Sequence, residues 1–531
     1  MIEKKIIYGG HILTLNENQS SVEAVAIEGE KISAVGNLTD VKNNMGNDFE
    51  LINLNGSTLL PGFIDSHIHP IMLIFFLINV NLGKVKSIKD LQTVLKEAAS
   101  QKSPSEWIIG LRLKEEEFIN PEERTLPTRW QLDEMCSENP VFLVRYDGHI
   151  GIANTKALEI AGINADTEVP EGGEIRKNEN GEVTGIISEE ALNLLFSKIS
   201  FPKPPEFMEG AEKAFKILAE KGITSIHGLV EYDRGRGIEF SVMKSIMDKV
   251  LQNWYCLVNT ENTENIIKVK KPPLDEGHKY SKFKIGGLKT FVDGTFGAKT
   301  ACMFEPFSDA PNMCGFCVVD IEKLYNQMKG AHNLGFQIGV HTIGDKGNRI
   351  VVDLYKRLLK ENPRKDHRHR IEHASMLTAD VISDMKELNL IASCQPSFIN
   401  SEYTWLEKRI GKERCKYTYP YKSLIDAGVL IASGSDCPVE EPDVFMGLHA
   451  LVTRNGLVPE ECISIKEALK TYTINGAYAA FEEDVKGSIE VGKLADFVIL
   501  DKNPMEVPKD KIKDIQVLKT IIRGKNVYKR N

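Results

Sequence analysis

The sequence lacks any apolar run long enough to cross a lipid bilayer. The longest run covers residues 71–78 and stops at Asn79, whereas a membrane-spanning helix takes about 20 apolar residues. The first ten residues also lack the hydrophobic segment of a secretory signal peptide. These absences argue against a membrane association and predict a cytoplasmic location.

A block of Lys and Arg residues is also missing. The chain has 66 Lys and Arg against 75 Asp and Glu, which gives a formal net charge of -9. Proteins that bind nucleic acid use a basic surface to neutralise phosphates, and an acidic balance disfavours polyanionic partners. Nucleic acid is therefore not an expected partner.

The nine cysteines are scattered, which fits reduced thiols in a reducing compartment. Cys314 and Cys317 have the spacing of a redox motif, but they lie in a loop that leads into a predicted strand over residues 316–319. A thioredoxin-like motif has a helix after the pair, so we interpret both residues as ordinary thiols. A second such pair is lacking, which argues against a four-cysteine zinc site.

The 531 residues suffice for one large domain and a smaller one. Residues 1–60 and 486–531 are rich in short strands bounded by turn residues, and neither end is long enough to close its own core. We predict that the two ends together form one small β-sandwich domain. Residues 61–485 alternate apolar strands with amphipathic helices, which is typical of a parallel α/β barrel. This rhythm breaks within about 104–220, where we predict an inserted subdomain.

Two histidines close an apolar run in the stretch LPGFIDSHIHP at residues 60–70. Alternate side chains of a strand share a face, so His67 and His69 point the same way. Two imidazoles that converge at a strand end form half of a zinc-type site. The alternative interpretation is a pair of polar residues in a turn before Pro70.

Three further apolar segments end in residue types that bind metals. They are QIGVH ending at His341, RIEH ending at His373, and VLIASGSD ending at Asp436. In a parallel barrel the carboxyl ends of the strands gather at one rim, where catalytic residues lie. Side chains from four strand ends can therefore meet around one metal centre.

The spacing along the chain agrees with such a barrel. An eight-unit barrel has roughly 30 residues in each strand–helix unit. The chain advances 32 residues from His341 to His373, or one unit, and 63 residues from His373 to Asp436, or two units. If His67 ends the first strand and Asp436 the eighth, the other two histidines end the fifth and sixth strands. Lys289 lies 52 residues before His341 and falls on the fourth strand.

Taken together, these segments resemble the amidohydrolase superfamily of metal-dependent hydrolases. More narrowly, they are similar to its amidohydrolase 3 branch, which contains YtcJ-like proteins and N-substituted formamide deformylases. The resemblance covers essentially the whole chain in the expected order. The matching motifs are PGFIDSHIH at 61–69, DGH at 147–149, GITSIH at 222–227, KTFVDGTFG at 289–297, HTIGD at 341–345, RIEHA at 370–374, GSDCPV at 434–439 and GSIEVGKLAD at 487–496.

The resemblance implies a (β/α)8 TIM-type barrel, a β-sandwich from both termini, and one or two divalent metal ions, usually Zn2+. It also implies Lys289 as a lysine carboxylated by CO2 that bridges two metals. A protonated lysine cannot bind a metal, whereas its carbamate is an anionic oxygen ligand; an ordinary lysine in an ion pair is the alternative. The other ligands that the resemblance implies are His67, His69, His341, His373 and Asp436.

Three residues are candidates for contacts with the substrate. His149, in the segment RYDGH, could donate to the substrate carbonyl or to the developing oxyanion, or could be a loop histidine bonded to the backbone. Arg145 begins the same segment and is a further candidate. His227 could line the same rim, but we favour a structural role because Gly228 follows where many relatives have Asp or Glu.

Two other groups of polar residues are assigned structural roles. Asp293, four residues beyond Lys289, is interpreted as a residue that braces its loop. His367 and His369 come at the beginning of the strand that ends at His373, which is the opposite rim of the barrel. We therefore expect His367 and His369 at the surface.

The sequence thus predicts a metal-dependent hydrolase that cleaves the C–N bond of an amide-like small molecule. Asp436 is the candidate general base and acid, taking a proton from water activated by the metal and passing it to the leaving nitrogen. The same barrel could instead act as a lactonase, a deaminase or a non-oxidative decarboxylase. A catalytically silent binding or regulatory protein is the alternative from another class. Similar proteins are commonly homodimers, so a homodimer is a further expectation.

Overall fold

The computed structural model describes residues 3–46, 48–146, 148, 150–170, 173–189, 191–199, 202–233, 238–271 and 275–531. The chain divides into two compact units. The first unit is Met1–Ile71 with Ala214–Asn531, and the second is Met72–Lys213.

The N-terminal segment consists of short strands joined by turns. Asn37 caps the helix Leu38–Met45 by accepting a hydrogen bond from the backbone N–H of Asp40. The elements are β1 (Lys4–Leu13), β2 (Ser21–Glu28), β3 (Lys31–Gly36), α1 (Leu38–Met45), β4 (Glu50–Asn53), β5 (Thr58–Pro61) and then β6 (Phe63–Ile68). β6 is buried along its whole length, as a strand covered on both faces should be.

The second unit is built on one sheet, whose strands lie side by side in the order β11 (Gly173–Lys177), β12 (Val183–Glu189), β10 (Ile150–Ala153), β9 (Val141–Arg145), β8 (Ile108–Leu113) and β7 (Val80–Asn81). Neighbouring residues of β9 belong to different apolar clusters, Leu143 to one and Phe142 to the other, so both faces of the sheet are buried. The elements, including two helices that cross the unit boundaries, are α2 (Pro70–Ile78), β7 (Val80–Asn81), α3 (Ile88–Ser100), β8 (Ile108–Leu113), α4 (Arg129–Met135), β9 (Val141–Arg145), β10 (Ile150–Ala153), α5 (Thr155–Ala161), β11 (Gly173–Lys177), β12 (Val183–Glu189), α6 (Leu192–Phe196) and α7 (Pro204–Glu220).

Strands and helices then alternate in the first unit. The elements are β13 (Ile223–Glu231), α8 (Ile238–Ile246), β14 (Asn253–Asn259), α9 (Glu264–Val269), β15 (Phe283–Phe291), α10 (Ile321–Asn333), β16 (Gln337–Thr342), α11 (Asp345–Glu361), β17 (Arg370–His373), α12 (Ala379–Glu387), β18 (Ile391–Cys394), α13 (Phe398–Glu402), α14 (Leu406–Ile410), α15 (Lys412–Cys415), α16 (Tyr421–Asp426), β19 (Ile431–Ser433), α17 (Val444–Thr453), α18 (Ile465–Thr471) and α19 (Ile474–Ala479).

Eight of these strands form a nearly closed parallel barrel in the order β19-β18-β17-β16-β15-β14-β13-β6. The two end strands are connected at their carboxyl ends, where the N–H of Asp436, three residues after β19, donates to the carbonyl of His67 within β6 at 2.7 Å. The predicted fold class, an eight-stranded α/β barrel with additional sheets, is confirmed.

The last three strands, β20 (Phe497–Leu500), β21 (Val517–Ile522) and β22 (Lys525–Lys529), return to the N-terminal strands. β20 pairs with β5, which gives one eight-stranded sheet with the order β22-β21-β20-β5-β1-β2-β3 and β4 beside β1. Ile7, Leu59 and Phe497 meet in one apolar cluster on this sheet. Strands from both ends of the chain therefore share one core, while the domain boundaries given above stay predictions.

The strand predicted over residues 316–319 is wrong. This segment is a loop that packs along residues 292–303, where Val318 N–H donates to the carbonyl of Val292 at 2.9 Å. The loop also brings Cys317 Sγ to 3.5 Å from Cys302 Sγ, a neighbour that the spacing of Cys314 and Cys317 did not indicate.

Short 3₁₀ helices complete the secondary structure of the described residues. They are Glu115–Glu117, Pro121–Glu123, Arg454–Gly456, Pro459–Glu461 and Lys509–Asp514. Within the described ranges, every helix is too short or too polar to cross a membrane.

Candidate metal centre

The residues implied as ligands lie where the spacing predicted them. His67 is on the first barrel strand β6, and Lys289 is on the fourth, β15. His341 and His373 are on the fifth and sixth strands, and Asp436 follows the eighth by three residues. Because the strands are parallel, all of these residues belong to the carboxyl-terminal side of one barrel.

Three of these side chains have their ligand atoms close together. One ligand atom each from His67, His69 and Asp436 lies within 4.8 Å of the other two. The Oδ1 atom of Asp436 is 3.4 Å from His67 Nε2 and 3.1 Å from His69 Nε2. Two imidazoles and a carboxylate on one side of an ion are a donor set that suits Zn2+ and similar cations.

The two later histidines continue this cluster. The ring centroid of His373 lies 4.8 Å from that of His67, and the ring centroid of His341 lies 4.3 Å from that of His373. His341 Nε2 is 3.2 Å from the carbonyl oxygen of Gly294. Four imidazoles and one carboxylate thus form one continuous series of neighbouring side chains at the carboxyl end of the barrel.

Lys289 is a buried lysine beside this cluster. Only 1% of its surface is exposed, and its Nζ lies 4.2 Å from the ring centroid of Phe291. Burial lowers the pKa of Lys289 to about 8, against the opposing charges of Glu372 and Asp436. An amine with this pKa is neutral more often than a surface lysine.

The donor atoms of the cluster fit a bound cation. Buried polar atoms in proteins are nearly always hydrogen-bonded, so each exception calls for an explanation. Four buried atoms without a hydrogen-bond partner belong to this one site: His67 Nε2, His373 Nδ1, Lys289 Nζ and Asp436 Oδ1. A divalent ion would satisfy the imidazole and carboxylate atoms at once, and a carbamate on Lys289 would add an anionic oxygen.

Burial and the neighbouring charges shift the pKa values of the ligands in different directions. Burial lowers the pKa of His67, but the carboxylates of Glu372 and Asp436 outweigh burial and leave this pKa raised. Burial raises the pKa of Asp436, but His67 and His69 outweigh it and hold this pKa well below its usual value. Burial lowers the pKa of His341 to about 3, so this imidazole is neutral and able to bind a metal.

Two carboxylates hold His67 and were not recognised in the sequence as part of the site. Glu372 Oε2 lies 2.6 Å from His67 Nδ1, and both side chains are buried. Asp65 Oδ1 accepts from the backbone N–H of His67 at 3.2 Å, and Asp65 Oδ2 accepts from the hydroxyl of Ser435 at 2.6 Å. A charged residue within a short buried strand is the one sequence signal that could have identified Glu372.

The backbone is unusual at two of the implied ligands. His373 has φ = 72°, Ala374 has φ = 45° and Asp436 has φ = 59°. Residues other than glycine rarely adopt this left-handed region, and such residues concentrate at functional sites. At His373 and Asp436 the chain leaves the regular strand geometry where the side chain must face the cluster.

Asp293 is the centre of a backbone network beside the cluster. Its carboxylate accepts hydrogen bonds from the N–H groups of Cys302, Ile343 and Gly344 at 2.8–3.0 Å. These bonds connect the loop after β15 with the loop after β16. The geometry agrees with the role of a residue that braces its loop.

The three candidate substrate contacts have different surroundings. His149 lies outside the described residues. Arg145 is in the second unit, where Nε lies 2.9 Å from Glu115 Oε1 and Nη2 lies 2.6 Å from Glu116 Oε1. His227 is 1% exposed, and its Nδ1 is 3.0 Å from Arg370 Nη2. For His227 this geometry favours the structural interpretation, while the roles of Arg145 and His149 stay predictions.

His367 and His369 are not at the surface, contrary to expectation. Both are buried, with exposures of 2% and 0%. His369 Nδ1 accepts from the N–H of Ile338, and His369 Nε2 lies 2.8 Å from Nδ1 of the buried His332. These hydrogen bonds connect the beginnings of β16 and β17 to a neighbouring helix. His367 and His369 are therefore core residues at the amino-terminal end of the barrel.

Comparison with known proteins points to one family. A family model described as "Amidohydrolase family" matches residues 50–528. The protein LONG AFTER FAR-RED 3 of Arabidopsis thaliana is 32% identical, covering 98% of this chain and 91% of the relative. YtcJ of Bacillus subtilis (strain 168) is 30% identical, covering 99% of this chain and 100% of the relative. The N-substituted formamide deformylase of Arthrobacter pascens is 27% identical, and the match covers 99% of this chain and 98% of that protein.

A solved structure shares the fold over nearly the whole chain. It is an uncharacterized metal-dependent hydrolase from Pyrococcus horikoshii OT3, with a TM-score of 0.77 and 27% sequence identity. The match covers 96% of this chain and 99% of that protein. The similarity therefore includes both the barrel and the strands contributed by the two ends of the chain.

Proposed function

Because the chain belongs to the amidohydrolase family, we propose that it is a metal-dependent hydrolase of C–N bonds in amide-like small molecules. The observation that carries the proposal is the convergence of His67, His69 and Asp436, whose ligand atoms lie within 4.8 Å of one another. His341, His373 and Lys289 complete the proposed ligand set. We further propose Zn2+ as the metal, since imidazole and carboxylate are ligands that it prefers.

The bound metal would supply an acidified water molecule and a polarised carbonyl group. The chain itself supplies the proton transfer. Asp436 is ionised, since its pKa lies well below the usual value, and it can accept a proton from water on the carboxyl side of the barrel. Asp436 then donates the same proton to the nitrogen that leaves, acting first as general base and then as general acid.

The walls beside the cluster support a neutral substrate. The ring of Phe398 stacks on His373 with centroids 5.9 Å apart, and the ring of Phe291 lies 5.2 Å from that of His341. Apolar ring surfaces favour neutral or weakly charged groups over ions, since burying a charge without a partner is costly. One relative is named as an N-substituted formamide deformylase, and N-formyl and N-acyl amines are therefore the substrates we propose.

A substrate screen tests this function. The zinc-loaded protein is incubated with N-substituted formamides and N-acyl amines, and free amine and free acid are measured together. We expect equal amounts of both products, and we expect a chelator to abolish their release. Separate incubations with substrates of the other reaction classes test the alternatives. Release of ammonia would indicate a deaminase, release of CO2 a decarboxylase, and release of acid from a lactone a lactonase.

A protein that binds no stoichiometric metal and releases none of these products would support the catalytically silent alternative. The other expectations from the sequence stay predictions. They are the cytoplasmic location, the homodimer, the small-molecule partner, and the lack of nucleic-acid and membrane partners.

We also propose that Lys289 is carboxylated by CO2. The neutral amine adds to CO2 and releases one proton, which gives a carbamate with the charge that a metal ligand needs. Support comes from the burial of Lys289 and from its Nζ atom, which has no hydrogen-bond partner. An ion-paired lysine, the alternative interpretation, would have a carboxylate in contact.

Labelled CO2 tests the carbamate directly. Wild-type protein assembled with zinc in labelled bicarbonate should retain one label per chain, and Lys289→Gln should retain none. Equal labelling of the two proteins, or no label in wild type with zinc bound, would contradict the carbamate.

A further inference from the structure

One contact of the cluster joins residues that are 305 positions apart. Glu372 Oε2 lies 2.6 Å from His67 Nδ1, with Glu372 fully buried and His67 only 1% exposed. His67 has two ring nitrogens, and this contact occupies one of them. The other, Nε2, has no hydrogen-bond partner and is the atom that faces Asp436.

The contact defines which nitrogen of His67 is free. A carboxylate accepts a hydrogen bond, so Nδ1 carries the proton and donates a hydrogen bond to Glu372. The neutral ring then has its lone pair on Nε2. Glu372 thereby selects one tautomer of His67 and one orientation of its ring, with the lone pair turned toward His69 and Asp436.

The surroundings of Glu372 hold its carboxylate in this place. Arg370 precedes it by two residues on β17, and its Nη1 lies 3.9 Å from Glu372 Oε1. Gly339, on the neighbouring strand β16, leaves the space that the carboxylate occupies, because a Cβ there would lie 2.6 Å from Glu372 Oε1. The barrel thus provides both a compensating charge and room for this side chain.

His67 differs in this respect from the other imidazoles of the cluster. His341 Nε2 is 3.9 Å from Asp293 Oδ1 and faces a backbone carbonyl instead. His373 Nδ1 is buried without a partner. Among the described contacts of these three rings, only His67 has a carboxylate on the nitrogen that points away from the cluster.

We propose that Glu372 is the positioning residue of the metal centre. It fixes the ring of His67 with Nε2 toward the metal and increases the affinity of His67 for the metal. The proposal rests on the proposed metal-dependent function. A carboxylate on the second nitrogen of a metal-binding imidazole raises the basicity of the first, and loss of such a partner typically lowers metal affinity by about 10- to 100-fold. The competing role is purely structural, with Glu372 serving only to neutralise the buried Arg370.

Zinc affinity of the full-length protein separates the two roles. Metal-free wild type and Glu372→Gln are titrated with Zn2+ against a competing chelating dye, and their thermal unfolding is recorded without metal. We expect Glu372→Gln to bind Zn2+ about 10- to 100-fold more weakly. Asp496→Asn is the matched control, since it removes another buried carboxylate, one bonded to Asn253 and the N–H of Arg523. Its folded form should keep wild-type affinity.

A second variant acts on Glu372 without changing it. Gly339→Ala places a methyl group against the carboxylate end of Glu372, which is the part of this side chain most able to move. We expect weaker Zn2+ binding here too, although Glu372 and His67 are both present. Unchanged affinity in both variants would overturn the positioning role and leave the proposed function intact, whereas a wild type that binds no metal would overturn the proposed function itself.

If Glu372→Gln does not fold, a zinc-bound crystal structure of the wild type decides. His67 Nε2 on the metal with Nδ1 on Glu372 supports the proposal. Binding through Nδ1, or a Glu372 side chain turned away from His67, contradicts it.

Discussion

Asp436 has two tasks in the proposed chemistry, since it both binds the metal and moves a proton. Asp436→Asn keeps the size of the side chain but removes the basic oxygen. We expect the amide-hydrolysing rate of this variant to fall by about a hundredfold to ten-thousandfold, the range found for general acid–base groups. The rate should be measured with excess Zn2+, so that weaker metal binding does not account for the loss.

The exposed Asp426→Asn on α16 is the control for this substitution, and it should keep the wild-type rate. An Asp436→Asn variant with the full rate at saturating metal would show that another group transfers the proton.

Glu402 makes the stability of the protein depend on pH. Burial raises the pKa of Glu402 from 4.5 to about 8, although the hydroxyl of Tyr419 donates to its carboxylate at 2.6 Å. The unfolded chain loses this proton at lower pH than the folded protein, so the stability that the proton provides is lost as the pH rises from 4.5 to 8. We expect Glu402→Gln to remove this part of the pH dependence and to be more stable than wild type at pH 8.

Thermal unfolding between pH 5 and 8 measures the effect, with the exposed Glu407→Gln on α14 as control. Parallel curves for wild type and Glu402→Gln across this range would contradict the raised pKa.

Among the secondary-structure elements, β6 and β19 are the two end strands of the barrel sheet, and contacts between their ends close the barrel. Asp65 on β6 accepts hydrogen bonds from both the N–H and the hydroxyl of Ser435, just beyond β19. Ser435→Ala leaves one buried carboxylate oxygen without its donor, and hydrogen bonds to charged groups contribute about 1.5–3 kcal/mol. We expect Ser435→Ala to lower the free energy of unfolding by that amount.

Ser433→Ala provides the comparison, because its hydroxyl donates to another neutral hydroxyl, that of Thr471, at 2.8 Å. We expect a loss of about 1 kcal/mol there. Equal losses at the two serines would mean that the Asp65 contact adds nothing to barrel closure.

The barrel strands could be predicted because their signal is local. β16 contains a short apolar run that leads to His341, and the step of 32 residues from His341 to His373 on β17 equals one barrel unit. The same local rules failed for residues 316–319, whose hydrogen bonds go to the neighbouring loop instead of a sheet. They also misplaced His367 and His369, since a position at the amino-terminal end of a strand does not reveal which helices cover it.

The contacts that support the site could not be predicted from spacing. Glu372 reaches His67 across 305 residues, and Asp65 reaches Ser435 across 370. Neither partner lies in a recognisable motif with the other, so only the folded barrel brings them together. Residue types at strand ends therefore predicted the proposed ligands, while the carboxylates behind them required the structure.

For the whole molecule, metal binding should be linked to folding. The proposed ligands lie on or just after five strands of the barrel, so the complete site exists only in the folded chain. A ligand that binds only the folded state adds about 2.7 kcal/mol of stability at a concentration 100 times its Kd. We expect Zn2+ to raise the Tm of the metal-free protein in a concentration-dependent manner.

His67→Ala combined with His69→Ala should abolish this Zn2+-dependent rise. A double variant that responds to Zn2+ like the wild type would place the stabilising metal elsewhere on the chain.

Anomalous diffraction at the zinc absorption edge, from crystals of the zinc-loaded full-length protein, is the most direct test of the metal centre. We expect one or two peaks at the carboxyl end of the barrel, at about 2.0–2.2 Å from His67 Nε2, His69 Nε2 and a carboxylate oxygen of Asp436. A map in which the zinc peaks lie away from these three residues, or in which the site holds no peak at saturating zinc, would contradict a metal-dependent hydrolase built on them.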